Sequence, residues 1–406
     1  MAAAQVALLI AGSVLAVVPW RRIPGWAGPA VLAIVAVLAH VIPLHDARTA
    51  GDDLAAAVLF LLLAVPLALL LDRSGFFSVL ADKIDGGRHL MAGLWVLAAL
   101  VTIVFNLDAA VVLLTPLYVR VAQRHGEDPV VLGFIPALQA ALASSVLPVS
   151  NLTNLIATDR LHLGAGSFIA HLGLPSLASV AVGGVVFARI ARRPRSLSPS
   201  PSPESQLEAA ADTPAHRGDA LATGTIVVVW LLLGFVVGER LGVPAWVIAG
   251  VALTGLIIRQ RVVPWRQIPL HAAVLALGLG VLATAAARHL PVERLLSIGG
   301  IPGELATIGA VAIGANAINN LPALLVTLPG LDAHHERVWA VLLGANLGPT
   351  LWVTGALSTL LWQATMRRLG HPISALRYAR TAAAVGAPAL AAATATHVLV
   401  TVLGRV

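Results

Sequence analysis

Four polar interruptions break the hydrophobic segments of this 406-residue chain, and they form two matching sets, one in each half. Phe105-Asn106-Leu107-Asp108 corresponds to Asn319-Asn320-Leu321-Pro322. Ser150-Asn151-Leu152-Thr153-Asn154 corresponds to Ala345-Asn346-Leu347-Gly348-Pro349. Asn106 and Asn319 are each followed ten residues later by a proline, Pro116 and Pro329, and Asn151-Leu152 matches Asn346-Leu347 as a dipeptide.

The chain is 58% hydrophobic and 11% charged, with a mean hydropathy of +0.89. Soluble domains carry about 25% charged residues, so composition implies an all-α polytopic membrane protein. Polar groups and broken backbone inside a bilayer survive only where they are buried in protein or line a cavity. Paired interruptions in corresponding halves are the sequence sign of a secondary transporter with its binding site near the midplane. The net charge of +7 comes from basic residues in short loops, which fits the positive-inside rule and not a nucleic-acid partner. Cysteine is absent, which excludes disulfides, thiolate metal sites and cysteine nucleophiles. The first apolar run, Val6 to Trp20, lacks a basic leader and an evident cleavage site, and reads as a span.

Span length needs roughly 20 apolar residues. The N-terminal half, 1–191, gives spans near 5–20, 27–44 and 52–72, then an interfacial stretch. Two arms, 90–105 and 109–121, follow and meet at Asn106. A broken span, 130–162, is interrupted at Ser150–Asn154, and 165–190 closes the half. The C-terminal half, 219–406, repeats this order: spans near 220–238, 243–259 and 270–289, a hairpin over 303–331, a span broken at Asn346–Pro349, and a last span over 378–403. Residues 192–218 are rich in Pro and Ser and read as a disordered cytoplasmic linker. If the N-terminus is outside and both arm pairs are re-entrant, 19 of the 26 Arg and Lys fall on the cytoplasmic side. That bias predicts ten spans, two re-entrant hairpins, both termini outside and halves of inverted topology.

Asp108 is the leading candidate for a coupling proton or ion, because a carboxylate at a membrane hairpin tip is costly unless it pairs, binds a cation or takes up a proton. It can equally cap the helix that begins at Ala109. Ser150, Asn151, Thr153 and Asn154 follow Pro148, where freed carbonyls and a new helix N-terminus suit a small polar solute. Asn316, Asn319 and Asn320 face them, completed by Asn346, Gly348, Thr350 and Thr354; Asn106 belongs to the same set. Asn offers two donors and two acceptors without charge. No Arg or Lys falls in any interruption, which favours a neutral polyhydroxyl solute over a dianion. Hydrogen bonding between helices would account for the same residues. Asp159, beyond Asn151, is a second candidate on an ion or proton path. His171 and His397 read as packing residues, Glu304 and His334-His335-Glu336 as outer-surface groups, and the nine Trp as an interfacial belt.

These motifs resemble the ion transporter superfamily, and within it the arsenite/antimonite efflux permeases of the ArsB type. Asn106 to Pro116 is similar to that family's hairpin motif, with Leu107 inserted before Asp108. Ser150–Asn154, Asn319–Pro322 and the stretches Gly344–Pro349 and Gly355–Trp362 are similar to its other motifs. NhaD-type sodium/proton antiporters carry a similar Leu-Asp pair. Dicarboxylate symporters of the superfamily carry Ser-Asn-Thr at their hairpin tips, which this chain lacks. The resemblance implies proton-coupled export of neutral arsenic and antimony hydroxides across the inner membrane by alternating access, with a sodium/proton antiporter or sodium-coupled anion symporter as rivals. No cofactor is expected. The only lysine, Lys83, precedes Ile84 and so builds no Walker A motif; any ATP dependence needs a separate ATPase subunit, and a homodimer stays open. A Gly-x-Gly-Asp protease motif is absent, and a passive channel is separated only by gradient dependence.

Overall fold

The computed structural model describes residues 2–17, 24–84, 89–191 and 214–404. The fold is all-helical. Its first half comprises α1 (Ala2–Val17), α2 (Gly28–Leu38), α3 (Leu44–Arg73), α4 (Phe76–Asp82), α5 (Leu90–Phe105), α6 (Leu107–His125), α7 (Pro129–Leu142), α8 (Leu152–Leu161) and α9 (Ala165–Ala191), which carries a π-turn at Ile169–Gly173. Its second half comprises α10 (Pro214–Leu241), α11 (Ala245–Gln260), α12 (Leu270–Ala287), α13 (Val292–Leu296), α14 (Gly300–Ile318), α15 (Asn320–Leu331), α16 (Val338–Leu347), α17 (Leu357–Arg368) and α18 (Ala375–Leu403). Among the described residues, six helices are long and apolar enough to cross a membrane: α3, α9, α10, the Trp265–Ala287 segment containing α12, α14 and α18.

Local chemistry places the helix starts. Asn106, Asp128, Asn151 and Asn319 each accept a bond at Oδ1 from the backbone N–H two residues on, and so cap α6, α7, α8 and α15. Gly126 takes a left-handed conformation (φ 69) that ends α6 before α7.

Several expected boundaries move. α3 starts at Leu44 and α2 ends at Leu38. α7 stops at Leu142, so the first break covers residues 143–151, and Thr153 and Asn154 already lie in the first turn of α8. α16 continues through Asn346 to Leu347, so the second break covers 348–356. Both shifts put the amide side chains at helix ends, where they can reach the unpaired backbone beyond. The expected linker falls largely on residues 192–213, outside the described ones; α10 begins at Pro214, so its last part is helical. Trp95 and Trp362 are core residues and not belt residues, since each indole N–H is used inside: Trp95 donates to Val180 O (3.0 Å) and Trp362 to Gly133 O (2.6 Å).

The helices pack as two groups that meet where α12 lies on α15 and α3 lies on α8 and α6. α3 gathers α11 and α12, and α12 carries α1 and α2. The hairpins α5–α6 and α14–α15 pack with the broken pairs α7–α8 and α16–α17 and with α9 and α18, which lie along each other across the halves. Close approach inside the second group depends on small residues. A Cβ on Gly344 would lie 2.7 Å from Ile308 O, and one on Gly348 would lie 2.6 Å from Ala312 Cα, both on α14. Gly344 and Gly348 therefore form a small-xxx-small face that seats α16 and the break after it on the hairpin.

Gly344→Ala and Gly348→Ala should each destabilise the detergent-solubilised protein by about 1–3 kcal/mol, the usual cost of overpacking. Gly309→Ala, on the same helix as their partners but with open space at its Cβ, should leave the thermal midpoint unchanged or slightly raised.

Candidate functional site

The two hairpin tips are built alike. Asn106 joins α5 to α6 with φ 92 and ψ 149, and Asn319 joins α14 to α15 with φ 80 and ψ 152. This region is close to glycine-only and costs of order 1–3 kcal/mol for a side chain, so it persists where surroundings fix it. The surroundings do so here. Besides capping the next helix, Asn106 donates from Nδ2 to Val149 O (3.4 Å), and Asn319 donates from Nδ2 to Thr354 O (3.2 Å). Each tip amide thus holds the backbone of the break that lies beside it.

The two breaks are joined by Asn346. Its Oδ1 accepts from Asn151 Nδ2 and from Thr153 Oγ1, both at 2.8 Å, and its Nδ2 donates to Asn154 Oδ1 at 2.6 Å. Asn154 in turn donates to Ser144 O (2.8 Å) and Leu147 O (3.0 Å), and Ser150 Oγ lies 2.6 Å from both carbonyls. These side chains are at most 1% exposed. In the second half Asn316 donates to Ala312 O and Gly348 O, Thr354 donates to Asn316 O, and Thr350 donates to Leu347 O.

A small cavity of about 30 Å³ lies between the two tips. Its polar wall is Asp108, Asn151, Thr153, Asn319 and Asn320, and α12 closes it with Leu275, Ala276 and Leu279. That volume accommodates only one or two water-sized particles. Asp108 is the one charge-bearing residue in the wall, and no Arg, Lys or His shares it. Its side chain is buried, its Oδ1 has no hydrogen-bond partner, and no ion pair reaches it among the described residues. Asn151 and Thr153 are already committed to Asn346, and Asn319 to Thr354 O and the Leu321 N–H, which leaves Asp108 and Asn320 as the uncommitted polar groups facing the space.

The sequence-derived candidates therefore separate by position. Asp108, Asn151, Thr153, Asn319 and Asn320 face the cavity, and Asn106 stands just behind the first tip. Ser150, Asn154 and Asn346 form the clasp between breaks. Asn316, Gly348, Thr350 and Thr354 brace the second break. Asp159 does not join Asp108: it is exposed and borders a separate pocket with Glu239 and Trp246. Glu304 is not at the surface either. It is 2% exposed and paired with Arg337 and His397. The solitary acid within the apolar run of α14 was the available signal. No group of three or more His, Cys, Asp or Glu among the described residues could hold a metal ion.

Residues 6–357 match the CitMHS family, described as "Citrate transporter". The chain is 27% identical over 397 residues to the "Arsenical pump membrane protein" of Yersinia enterocolitica, covering 90% of this chain and 91% of that one. It is also 27% identical over 402 residues to the protein of the same name from Escherichia coli (strain K12), with the same coverage. Among solved structures, the fold matches the Alcanivorax borkumensis YdaH transporter (TM-score 0.55, 14% identity, 88% of each chain). It also matches Neisseria gonorrhoeae MtrF, from a class of antimetabolite efflux pumps (TM-score 0.56, 16% identity, 90% of this chain and 84% of that one).

Asn346→Ala should act on stability as much as on ligand binding. It strands Asn151 Nδ2, Thr153 Oγ1 and Asn154 Oδ1, and each buried orphan costs about 1–3 kcal/mol. The expected result is a markedly lower thermal midpoint in detergent than for Asn316→Ala, whose loss strands two carbonyls only. Equal midpoints would show that the clasp carries no stability.

Proposed function

The chain belongs to the CitMHS citrate transporter family of membrane transporters, and we propose that it exports trivalent arsenic and antimony as neutral hydroxides in exchange for protons. One observation carries the reading: the only charge in the amide-lined cavity is an unpaired buried carboxylate, Asp108. A citrate anion would require cationic partners, since a buried charge is tolerated only when paired. No such partner lies in the wall, and Asp108 would repel the anion. A neutral trihydroxide instead needs donors and acceptors in one wall, which the uncommitted Asn320 amide supplies beside Asp108. The names of the curated relatives agree with this substrate.

In the proposed cycle Asp108 takes a proton when the site faces the proton-rich side, which removes the cost of a bare carboxylate at the tip. The deprotonated form then accepts from a solute hydroxyl. One group thus alternates between proton and solute, which gives exchange by competition. A cavity of about 30 Å³ is smaller than a trihydroxide requires, so loading demands that the two helical groups separate at α12.

A cation-transport reading is favoured by the same wall, because Asp108, Asn151, Thr153 and Asn319 are all oxygen-bearing residues. Side-by-side flux in proteoliposomes with arsenite, antimonite, sodium and citrate separates the two. Arsenite and antimonite flux that collapses with the proton gradient is expected. Sodium-driven citrate flux, or sodium/proton exchange indifferent to arsenite, would overturn the export reading.

Asp108→Asn should reduce gradient-driven accumulation to the background of protein-free vesicles while preserving arsenite counterflow, because the amide keeps the shape and an acceptor oxygen but cannot exchange a proton. Normal accumulation by this variant would sink the coupling role.

A further inference from the structure

Glu304, Arg337 and His397 form a buried cluster that the exchange cycle leaves unused. Glu304 lies in α14, Arg337 directly precedes α16, and His397 lies near the end of α18; they are 2%, 3% and 2% exposed. Arg337 Nη1 donates to Glu304 Oε1 at 2.7 Å, and His397 Nε2 lies 3.2 Å from Glu304 Oε2. Beside a carboxylate acceptor Nε2 must carry the proton. The Nδ1 of a neutral ring is then an acceptor, and it has no partner.

Arg337 also grips the joint ahead of the hairpin. Its Nε donates to Leu296 O and its Nη1 to Gly300 O, both at 3.3 Å, and its Nη2 donates to Ile298 O. These carbonyls belong to the end of α13, the turn after it and the first residue of α14. Gly303 makes room for the guanidinium, since a Cβ there would lie 2.6 Å from Nη2. One arginine therefore ties together the connection between α13 and α14, and Glu304 holds that arginine in place.

The charges balance only while His397 is neutral. A proton on Nδ1 would leave two cations sharing one buried carboxylate. The group able to yield is Arg337, whose neighbours His335 and Glu336 are exposed. The joint itself carries Glu293 and Arg294 of α13, both exposed, and His334, which lies 3.6 Å from Glu336. Around the end of α18, the turn at 169–173 brings His171, which stacks on Trp339 with its Nδ1 2.9 Å from Ser167 O. α14 carries only Glu304, α16 and the 348–355 turns carry no titratable group, and Arg189 of α9 lies in that helix's last turn.

We propose that His397 is a second proton site, and that its protonation loosens the Arg337 staple on the α13–α14 joint so that the α14–α15 hairpin can move. The proposal rests on the proton-driven reading but not on which solute is carried. It links proton uptake at one end of the hairpin to freedom at its tip, where Asn319 borders the cavity.

The absence of cysteine permits a direct test. Ser297, exposed on the joint, is replaced by cysteine in the full chain and labelled with a nitroxide. Its mobility is followed over roughly pH 5–8, the range in which histidine titrates, without solute or gradient. The label should become more mobile as pH falls. It should be insensitive to pH in the His397→Gln background, which keeps a donor to Glu304 but cannot titrate, and should keep its response in His171→Gln. Glu304→Gln should be mobile at every pH; should it not fold, the His397→Gln comparison decides by itself. A pH response surviving His397→Gln, or none in the parent, would overturn the proposal. Failure of arsenite flux with this response intact would count against the substrate instead.

Discussion

A bilayer supplies no water to an interrupted helix, so each break must have its freed backbone groups satisfied by protein. Asparagine meets that requirement here. At Asn106 and Asn319 one oxygen caps the helix that follows, and one amide nitrogen holds a carbonyl of the neighbouring break. The same side chain permits a positive φ and uses it, which a glycine could do only in part. Without these amides the hairpins would have neither defined tips nor a fixed relation to the broken helices, and no cavity would exist between them.

Asn346 turns two such units into one site. Each of its bonds crosses from the second half to the first, so the breaks cannot drift independently. Around this clasp the charged contacts at the margins are weaker. Arg160 at the end of α8 reaches Asp53 of α3 (3.9 Å) and Asp332 beyond α15 (3.1 Å), and Arg124 of α6 reaches Asp82 of α4 (3.5 Å). Solvent-accessible pairs of this kind contribute about 0–1 kcal/mol each.

Buried charge is placed with the same economy. Asp46 is 1% exposed and paired with Arg288, and Glu304 with Arg337 and His397. Asp108 alone among these buried acids faces a cavity with an unpartnered oxygen. Truncating one partner of a buried pair is costly because the other charge is left uncompensated. The charges of Asp46 and Glu304 are thus compensated within the protein, whereas Asp108 has no ion pair among the described residues.

Much of this was legible in the chain itself. Hydrophobic run lengths set the order of helices, and the polar interruptions marked both hairpins and both breaks, because lipid tolerates such groups only against protein or beside a cavity. Asn106, Asp108, Asn151 and Asn319 were identifiable one by one, since capping chemistry and the cost of a buried carboxylate are local. Pairings were not. Asn346 sits 195 residues from Asn151, and nothing in either segment says that the amide meets its counterpart instead of a solute. Glu304 looked like a surface charge because a charge beside a loop is usually solvated; only the approach of Arg337 and of His397 on α18 encloses it. Sequence determined which side chains had to be satisfied inside the membrane, and tertiary packing decided which of them satisfy one another and which, Asp108 and Asn320, are left facing the cavity.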